Sequence, residues 1–313
     1  MRLFLRFFSA VLLGWCTNAI ATPTVHVAVA QIVEHPALDT LRQGLKEGLE
    51  AKGYKEGETL IWTYENAQGN PTTAIQIGHK LVSLQPTVIV TLSTPMAQAT
   101  ASATNTIPIV FGAVTDPSAA KLTNHANITG LTDFVPPEKQ LELIRKILPN
   151  LKTIGVIYNS GEANSRKQVE ALKAVADPLG IIVVEATVSK TSDVSSVAKS
   201  LVGRVNAIVL PTDNTVISAL ESILKIGSHH KIPVFGSDVD IVRRGATAAY
   251  GVDWQESGRD LAEIVASILR GEPAVTLSIQ HPKGLLLHIN RHAAKKMGVT
   301  LSEDLQKEAN KVF

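Results

Sequence analysis

Residues 88–95 read VIVTLSTP and residues 107–112 read IPIVFG, and the same pattern returns as AIVLPTDN at residues 207–214 and IPVFGSD at residues 232–238. Each copy combines an apolar strand pattern, a polar turn, a helical stretch and a second short strand closed by glycine. Two copies of one such unit predict two similar α/β lobes. The polar ends of their strands could then face each other across a binding cleft.

Strand-like and helix-like segments also alternate around both copies. We predict strands at residues 25–30, 59–64, 153–158 and 181–186, and helices at residues 38–49, 72–84, 165–179 and 194–202. Strands that alternate with helices predict βαβ units, and therefore parallel sheets with right-handed crossovers.

The division into lobes follows from two breaks in this pattern. Residues 127–137 contain a glycine and paired prolines, which favour a crossover between the halves. Further elements follow the second copy: a strand at residues 246–252, a helix at 257–269, a strand at 284–289 and a helix from about His292. We therefore expect lobe 1 to contain residues 22–132 and about 246–276, and lobe 2 to contain residues 133–245 and about 277–313.

The first 21 residues have the composition of a secretory signal. Two arginines precede an apolar run at residues 7–15, and Ala19-Ile20-Ala21 has the small residues that signal peptidase requires. The apolar run is far shorter than the roughly 20 residues of a membrane-spanning helix. A lipoprotein signal at Cys16 is the alternative, but a tryptophan precedes that cysteine where a small residue is expected. We predict cleavage after Ala21 and an exported protein.

Cysteine content and charge narrow the class of protein further. Cys16 is the only cysteine, so cleavage would leave a chain without disulfides. Cleavage also removes Arg2 and Arg6, which leaves 28 basic and 28 acidic residues. The chain contains no basic run, so we expect no nucleic-acid partner. The remaining length fits about two domains.

The sequence lacks the common motifs of catalysis. It has no phosphate-loop glycine pattern, no G-x-S-x-G and no H-E-x-x-H. His229-His230 and the pair His288 and His292 have no carboxylates or thiols at a spacing that would complete a metal site. We therefore expect that this protein is not an enzyme and that it binds neither a cofactor nor a metal ion.

Polar turns follow the predicted strands, at the sheet edge where open α/β proteins bind ligands. Ser93 and Thr94 open a helix, whose free N–H groups suit a carboxylate. Asp116, Asp213 and Asp238 could accept hydrogen bonds from an ammonium group. Helix capping is the alternative for each residue taken alone. Five such turns, at residues 93–95, 115–117, 159–165, 212–214 and 237–238, occupy equivalent places in the two lobes and together favour a cleft.

Two further positions have weaker signals. Glu34 and His35 follow the first strand, and rim contact and solvent exposure are equally good interpretations. Trp254 follows a late strand, where core packing is a better prediction than stacking on a ligand.

Six motifs in this chain resemble those of one family. They are EHPALD at residues 34–39, the segment at residues 107–117, NITG at 127–130, GEANS at 161–165, PTDNT at 211–215 and GSD at 236–238. The chain is similar, over essentially its whole length after residue 21, to ABC-transporter substrate-binding proteins of the tryptophan/tyrosine type.

The resemblance implies a type I periplasmic-binding fold, in which two lobes joined by three crossover strands enclose a ligand by hinge closure. It implies a free periplasmic protein that delivers its ligand to a membrane permease, which is driven by an ATPase. It also implies ligand contacts at Ser93, Thr94, Thr115, Asp116, Glu162, Ala163, Asn164, Ser165, Thr212, Asp213, Asn214, Ser237 and Asp238.

Our leading hypothesis is a monomeric receptor for a small zwitterion, an amino acid or a close relative. Binding would shift the lobes toward a closed state, because only that state lets both lobes contact the ligand. A ligand sensor for a membrane signalling receptor is the first alternative. An exported α/β enzyme is the second, but the sequence offers no paired acid and base for it.

Overall fold

The computed structural model describes residues 24–313, so the predicted signal peptide and Cys16 lie outside the described residues. Its strands are, in chain order, β1 (Val25–Gln31), β2 (Leu60–Asn66), β3 (Val88–Leu92), β4 (Ile109–Val114), β5 (Ile128–Thr132), β6 (Thr153–Asn159), β7 (Ile182–Val188), β8 (Ala207–Leu210), β9 (Val234–Gly236), β10 (Ala248–Gly251), β11 (Leu286–Ile289) and β12 (Lys311–Val312).

The α-helices are α1 (Pro36–Ala51), α2 (Pro71–Ser83), α3 (Thr94–Ala101), α4 (Pro137–Ile147), α5 (Ala163–Ala176), α6 (Val194–Ser200), α7 (Asn214–Ile217), α8 (Leu220–His230), α9 (Asp240–Arg244), α10 (Trp254–Leu269), α11 (Arg291–Lys296) and α12 (Glu303–Glu308). None of the helices between residues 24 and 313 has both the length and the apolar character needed to cross a bilayer.

The strands form two sheets, one in each lobe. Lobe 1 has the order β2-β1-β3-β4-β5, and all of its pairings are parallel. Lobe 2 has the order β12-β11-β10-β9-β8-β6-β7, in which only the pairing of β10 with β11 is antiparallel. Every residue of β3 and of β8 is buried, as expected for parallel strands covered by helices on both faces. The repeated pattern therefore does mark the centre of each lobe.

Helix α10 returns to lobe 1 and packs against α1. The two helices approach closely at Gly44 and Gly258, where an added Cβ would lie 2.4 Å from the carbonyl oxygen of Gln255 and of Leu41, respectively. Trp254, at the start of α10, is 5 % exposed and belongs to the lobe 1 core, as predicted.

The predicted boundary of lobe 1 is wrong for β10. Residues 246–276 were assigned to lobe 1, but β10 pairs with β9 and β11 in the sheet of lobe 2. The backbone of Ala248 and Ala249 is held between these two strands, so the chain leaves lobe 2 only after Gly251. Only the helical part of this segment packs on lobe 1.

Three segments connect the lobes: residues 133–136, residues 252–253 and the stretch between α10 and β11. The third stretch runs beside the first, because Gln280 forms a β-bridge with Leu131 and Nδ1 of His281 lies 2.9 Å from the hydroxyl of Thr132. The first and third connections therefore lie side by side next to β5, and we call the three connections together the hinge.

Candidate ligand-binding site

A cavity lies between the lobes at the carboxyl ends of the strands. The empty space within it, including the part open to solvent, is about 360 Å³. Its wall is formed by His35, Ala37, Leu38, Ser93 and Ala113 from lobe 1, by Asp133 and Trp254 beside the hinge, and by Asn164, Thr212, Asp213, Asn214, Ile217 and Asp238 from lobe 2.

The N-terminus of α3 forms part of the lobe 1 wall. Ser93 caps this helix, and its hydroxyl accepts a hydrogen bond from the N–H of Met96 at 3.4 Å. The backbone of Ser93 has φ 97°, and that of Ala113 on the same wall has φ 55°. Such conformations are costly for residues other than glycine and concentrate at functional sites. The hydroxyl of Thr94 is buried without a hydrogen-bond partner.

Asp213 is a structural cap that also borders the cavity. One carboxylate oxygen accepts hydrogen bonds from the N–H of Asn159 and the hydroxyl of Ser165, each at 2.6 Å. The other accepts the N–H of Val216 at 2.8 Å, which caps α7. Burial raises the pKa of Asp213, and the neighbouring Glu162 carboxylate raises it further.

Glu162 has no oxygen left for a ligand. One oxygen accepts the N–H of Thr215 at 3.0 Å and its hydroxyl at 2.9 Å. The other accepts the N–H and side-chain amide of Asn214, at 3.1 and 2.6 Å, and the amide of Asn164 at 3.2 Å. These five bonds satisfy the donors at the start of α7, where Glu162 and Asp213 act together as a double cap.

Three atoms on the cavity wall are buried without a partner: Oδ1 of Asp133, Oδ1 of Asn164 and Nδ1 of His35. The orientation of the Asn164 amide is set by the bond from its nitrogen to the carbonyl oxygen of Thr212 at 2.6 Å. Buried polar atoms normally have hydrogen-bond partners, so three exceptions around one cavity mark it as a candidate binding site. Two of them are acceptors only, and a neutral imidazole nitrogen can also accept.

Asp238 adds a second carboxylate beside the hinge. Its Oδ1 accepts hydrogen bonds from the indole N–H of Trp254 and from the N–H of Asp240, both at 3.0 Å. Within the described residues, no group donates a hydrogen bond to its other oxygen.

Burial sets the charge states in the cavity. It raises the pKa of Asp133 to about 6, and it also raises the pKa of Asp238. Burial lowers the pKa of His35 to about 4, so this imidazole is neutral at neutral pH. Among the described residues that line the cavity, none is Lys or Arg. Arg244 opposes the shift at Asp238 but does not line the cavity, so a ligand with a positive charge would stabilise the ionised carboxyl groups further.

The other wall of the cavity is apolar. Ala37 and Leu38 from the first turn of α1, Ile217 from α7 and the Trp254 ring supply this surface. An apolar group of the ligand would therefore contact both lobes.

The structure brings about half of the predicted site residues to the cavity. Ser93, Asn164, Thr212, Asp213, Asn214, Asp238 and the rim candidate His35 line it. Thr94, Thr115, Asp116, Glu162, Ala163, Ser165, Ser237 and the exposed Glu34 do not. Asp116 instead caps a turn by accepting the N–H of Ala119 at 2.8 Å, and it pairs with Lys167 at 3.6 Å.

Asp133 was not among the predicted site residues. The signal was present in the sequence, because Asp133 is a carboxylate that directly follows a strand, as Asp213 and Asp238 nearly do. The prolines at 136 and 137 led to its interpretation as part of a crossover, whereas the crossover itself forms the wall of the cavity.

The sequence of residues 26–313 matches the family model described as ABC transporter substrate binding protein. The chain belongs to this family. The prediction made from the motifs is thereby confirmed, and so is the prediction that the protein is not an enzyme, since the family consists of solute-binding proteins.

Two relatives whose names include a ligand provide a closer comparison. The chain is 37 % identical over 252 residues, 79 % of this chain and 73 % of the relative, to a tyrosine-binding protein of Clostridioides difficile (strain R20291). It is 31 % identical to the ABC domain in complex with L-Trp from Streptococcus pneumonia, with a TM-score of 0.89 and coverage of 93 % and 100 % of the two chains. The predicted type I periplasmic-binding fold is confirmed.

A third comparison concerns the arrangement of the lobes. The ligand-free, open structure of a substrate-binding protein with adhesive properties from Clostridium difficile is 35 % identical and covers 92 % and 99 % of the two chains, but the TM-score is only 0.69. Sequence identity is slightly higher here than for the L-Trp complex, so sequence divergence does not account for the lower score.

Proposed function

We propose that this protein is the extracytoplasmic solute receptor of an ABC importer and that it binds an aromatic amino acid between its lobes. The observation that carries the proposal is the set of unpartnered acceptors on the cavity wall, Oδ1 of Asp133 and Oδ1 of Asn164, beside a second carboxylate at Asp238. A group with several N–H donors and a positive charge satisfies all three, and an α-ammonium group is such a group.

The N-terminus of α3 would bind the α-carboxylate. A helix N-terminus offers backbone N–H groups and a partial positive charge, and Ser93 at this helix end lines the cavity. Because the cavity wall has no Lys or Arg, this helix end is the electropositive element that balances the carboxyl groups. The ligand is then a zwitterion with its two charges on opposite lobes.

The side chain of the ligand would lie on the apolar wall. Leu38, Ile217 and the Trp254 ring line this wall and would contact an apolar side chain. The names of two relatives support an aromatic side chain, since one is a tyrosine-binding protein and another was solved with L-Trp. The neutral His35 could bond to a phenol or indole donor through its free Nδ1.

Ligand binding would be coupled to closure of the lobes. The difference between TM-scores of 0.89 for the L-Trp complex and 0.69 for the open, ligand-free relative supports a closed arrangement here. A ligand that contacts both lobes stabilises the closed state because the open state offers only half of its contacts. The permease and ATPase of the importer would then recognise this closed form in the periplasm.

Thermal melting of the purified protein without residues 1–21 tests the proposal. Each of L-Trp, L-Tyr and L-Phe, and a matched set of sugars and nucleosides, would be added at millimolar concentration. A ligand at about 100 times its Kd adds ~2.7 kcal/mol of stability, which is a shift of several degrees. We expect such a shift with L-Trp or L-Tyr. A shift with a sugar or nucleoside, and none with any amino acid, would contradict the proposal.

A further inference from the structure

Gln168 joins the two lobes through a buried network outside the cavity. Its side chain lies on α5 and is 8 % exposed. The amide nitrogen donates to the hydroxyl of Thr115 at 3.2 Å and to the hydroxyl of Thr212. The amide oxygen accepts the N–H of Thr212 at 3.0 Å and the hydroxyl of Ser237 at 3.2 Å. All hydrogen-bonding positions of this amide are therefore used.

Only one of these partners belongs to lobe 1. Thr115 follows β4, whereas Thr212 and Ser237 follow β8 and β9 in lobe 2. The hydroxyls of Thr115 and Thr212 also lie 3.3 Å apart, so two contacts cross between the lobes at this point. Rotation of the lobes away from each other breaks both contacts and leaves those within lobe 2 intact.

We propose that Gln168 is a clamp that stabilises the closed state without contacting the ligand. This inference rests on the proposed function in one respect, namely that closure accompanies binding. The clamp contributes to the closing equilibrium alone, and the apparent Kd depends on the fraction of molecules that can reach the closed state. Gln168 therefore changes the affinity for every ligand by the same factor, whereas a residue that touches the ligand changes affinities unequally.

The neighbouring ion pair of Lys167 and Asp116 also joins the two lobes, but it contributes less to the stability of the closed state. Lys167 and Asp116 are 3.6 Å apart, with 43 % and 24 % of their side chains exposed. Exposed ion pairs contribute little because water and salt screen them, whereas the Gln168 bonds are buried. We expect the clamp to depend on Gln168 rather than on Lys167.

The test compares Gln168→Met with Gln140→Met. Gln140 is 7 % exposed and donates to the same Ser237 hydroxyl at 2.5 Å, but it lies on α4, and its side chain forms no hydrogen bond to lobe 1 within residues 24–313. Calorimetric titration with each amino acid that binds the wild type should show Gln168→Met weakening all of them by an equal factor, about three- to tenfold. Gln140→Met should leave the affinities unchanged. Unequal losses, or no loss in Gln168→Met, would overturn the proposal.

A second measurement tests the effect of Gln168 on closure in the absence of any ligand. Gln68 and Ser192 are exposed on opposite sides of the cleft mouth, so Gln68→Cys and Ser192→Cys provide sites for spin labels. In unliganded protein, Gln168→Met should reduce the population with the short label distance relative to wild type and to Gln140→Met. An unchanged distance distribution would contradict the clamp. If no amino acid binds the wild type, the proposed function fails, but this comparison still decides the clamp.

Discussion

Asp238 accepts a hydrogen bond from the indole N–H of Trp254 at 3.0 Å, and this bond connects the end of β9 to the first residue of α10 beside the hinge. The bond holds the carboxylate at the cavity wall, and no group within residues 24–313 donates a hydrogen bond to its second oxygen. It also explains how Trp254 can be a core residue of lobe 1 and a wall of the site at once.

The charge of Asp238 is therefore expected to matter more for binding than for folding. Asp238→Asn keeps an acceptor for Trp254 but removes the negative charge, so the affinity for an amino acid should fall roughly 10- to 100-fold, as expected for a charged hydrogen bond. Titration calorimetry measures this change. Asp116→Asn is the matched control, because Asp116 lies outside the cavity. Equal effects of the two substitutions would contradict the assignment.

Ligand affinity should fall in acid. The pKa of Asp133 is about 6, and the pKa values of Asp213 and Asp238 are also raised by burial. An ammonium group pairs with the ionised carboxyls, so binding must release protons from those that are protonated. We expect affinity to weaken as the pH falls from about 7.5 to about 5, and calorimetry in buffers of different ionisation enthalpy to detect proton release.

The stability of the unliganded protein should instead increase in acid because of the Asp133 carboxyl group. A carboxyl whose folded pKa exceeds its unfolded pKa destabilises the fold when ionised, so this penalty disappears as the pH falls through about 6 toward about 4. For Asp133, whose pKa rises from 3.8 to about 6, the effect is roughly 3 kcal/mol. Denaturant unfolding of the wild type and of Asp133→Asn between about pH 6 and about pH 4 isolates the contribution of Asp133 to stability. Parallel pH profiles for the two proteins would show that Asp133 is not responsible.

Glu162 should be needed for stability rather than for ligand contact. Glu162→Ala leaves the buried N–H groups of Asn214 and Thr215 without their acceptor, which should lower the free energy of unfolding by about 2–4 kcal/mol. Urea denaturation measures this loss. Normal stability combined with complete loss of binding would indicate that Glu162 contacts the ligand instead.

The close contact between α1 and α10 should not tolerate a side chain at Gly44. Its added Cβ would lie 2.4 Å from the Gln255 carbonyl oxygen, so Gly44→Ala should destabilise the protein by about 1–3 kcal/mol. Gly284→Ala is the control, because nothing lies within 4 Å of its Cβ position. Thermal melting of the two variants compares them directly, and similar melting temperatures would contradict the close packing of the helices.

The central strands of both lobes could be predicted because each is a continuous apolar run with a polar turn after it. Strand β5 was hidden by Gly130, which indicated a break. In the fold this glycine makes room for Phe111 on β4, whose ring atoms lie 2.6 Å from the position of an added Cβ. The sequence pattern also does not show which sheet a late strand joins, and for this reason β10 was assigned to the wrong lobe.

The sequence predicts which loops form the site, but it does not predict which side-chain atoms are free to contact a ligand. Polar residues after strands do converge on one cavity, as the parallel topology requires. Capping and ligand contact use the same residue types, so Glu162 and Asn164 could not be separated by sequence, although one has every oxygen bonded and the other has a free one. Only the three-dimensional arrangement reveals which acceptors lack partners.

The most direct test of the proposed zwitterion site is calorimetric titration of L-Trp against tryptamine, which lacks the carboxylate, and indole-3-propionate, which lacks the ammonium group. The two-lobe recognition described above predicts clear binding of L-Trp and at least ~100-fold weaker binding of both analogues, since each leaves one set of buried polar groups unpaired. Binding of either analogue as tight as that of L-Trp would contradict it.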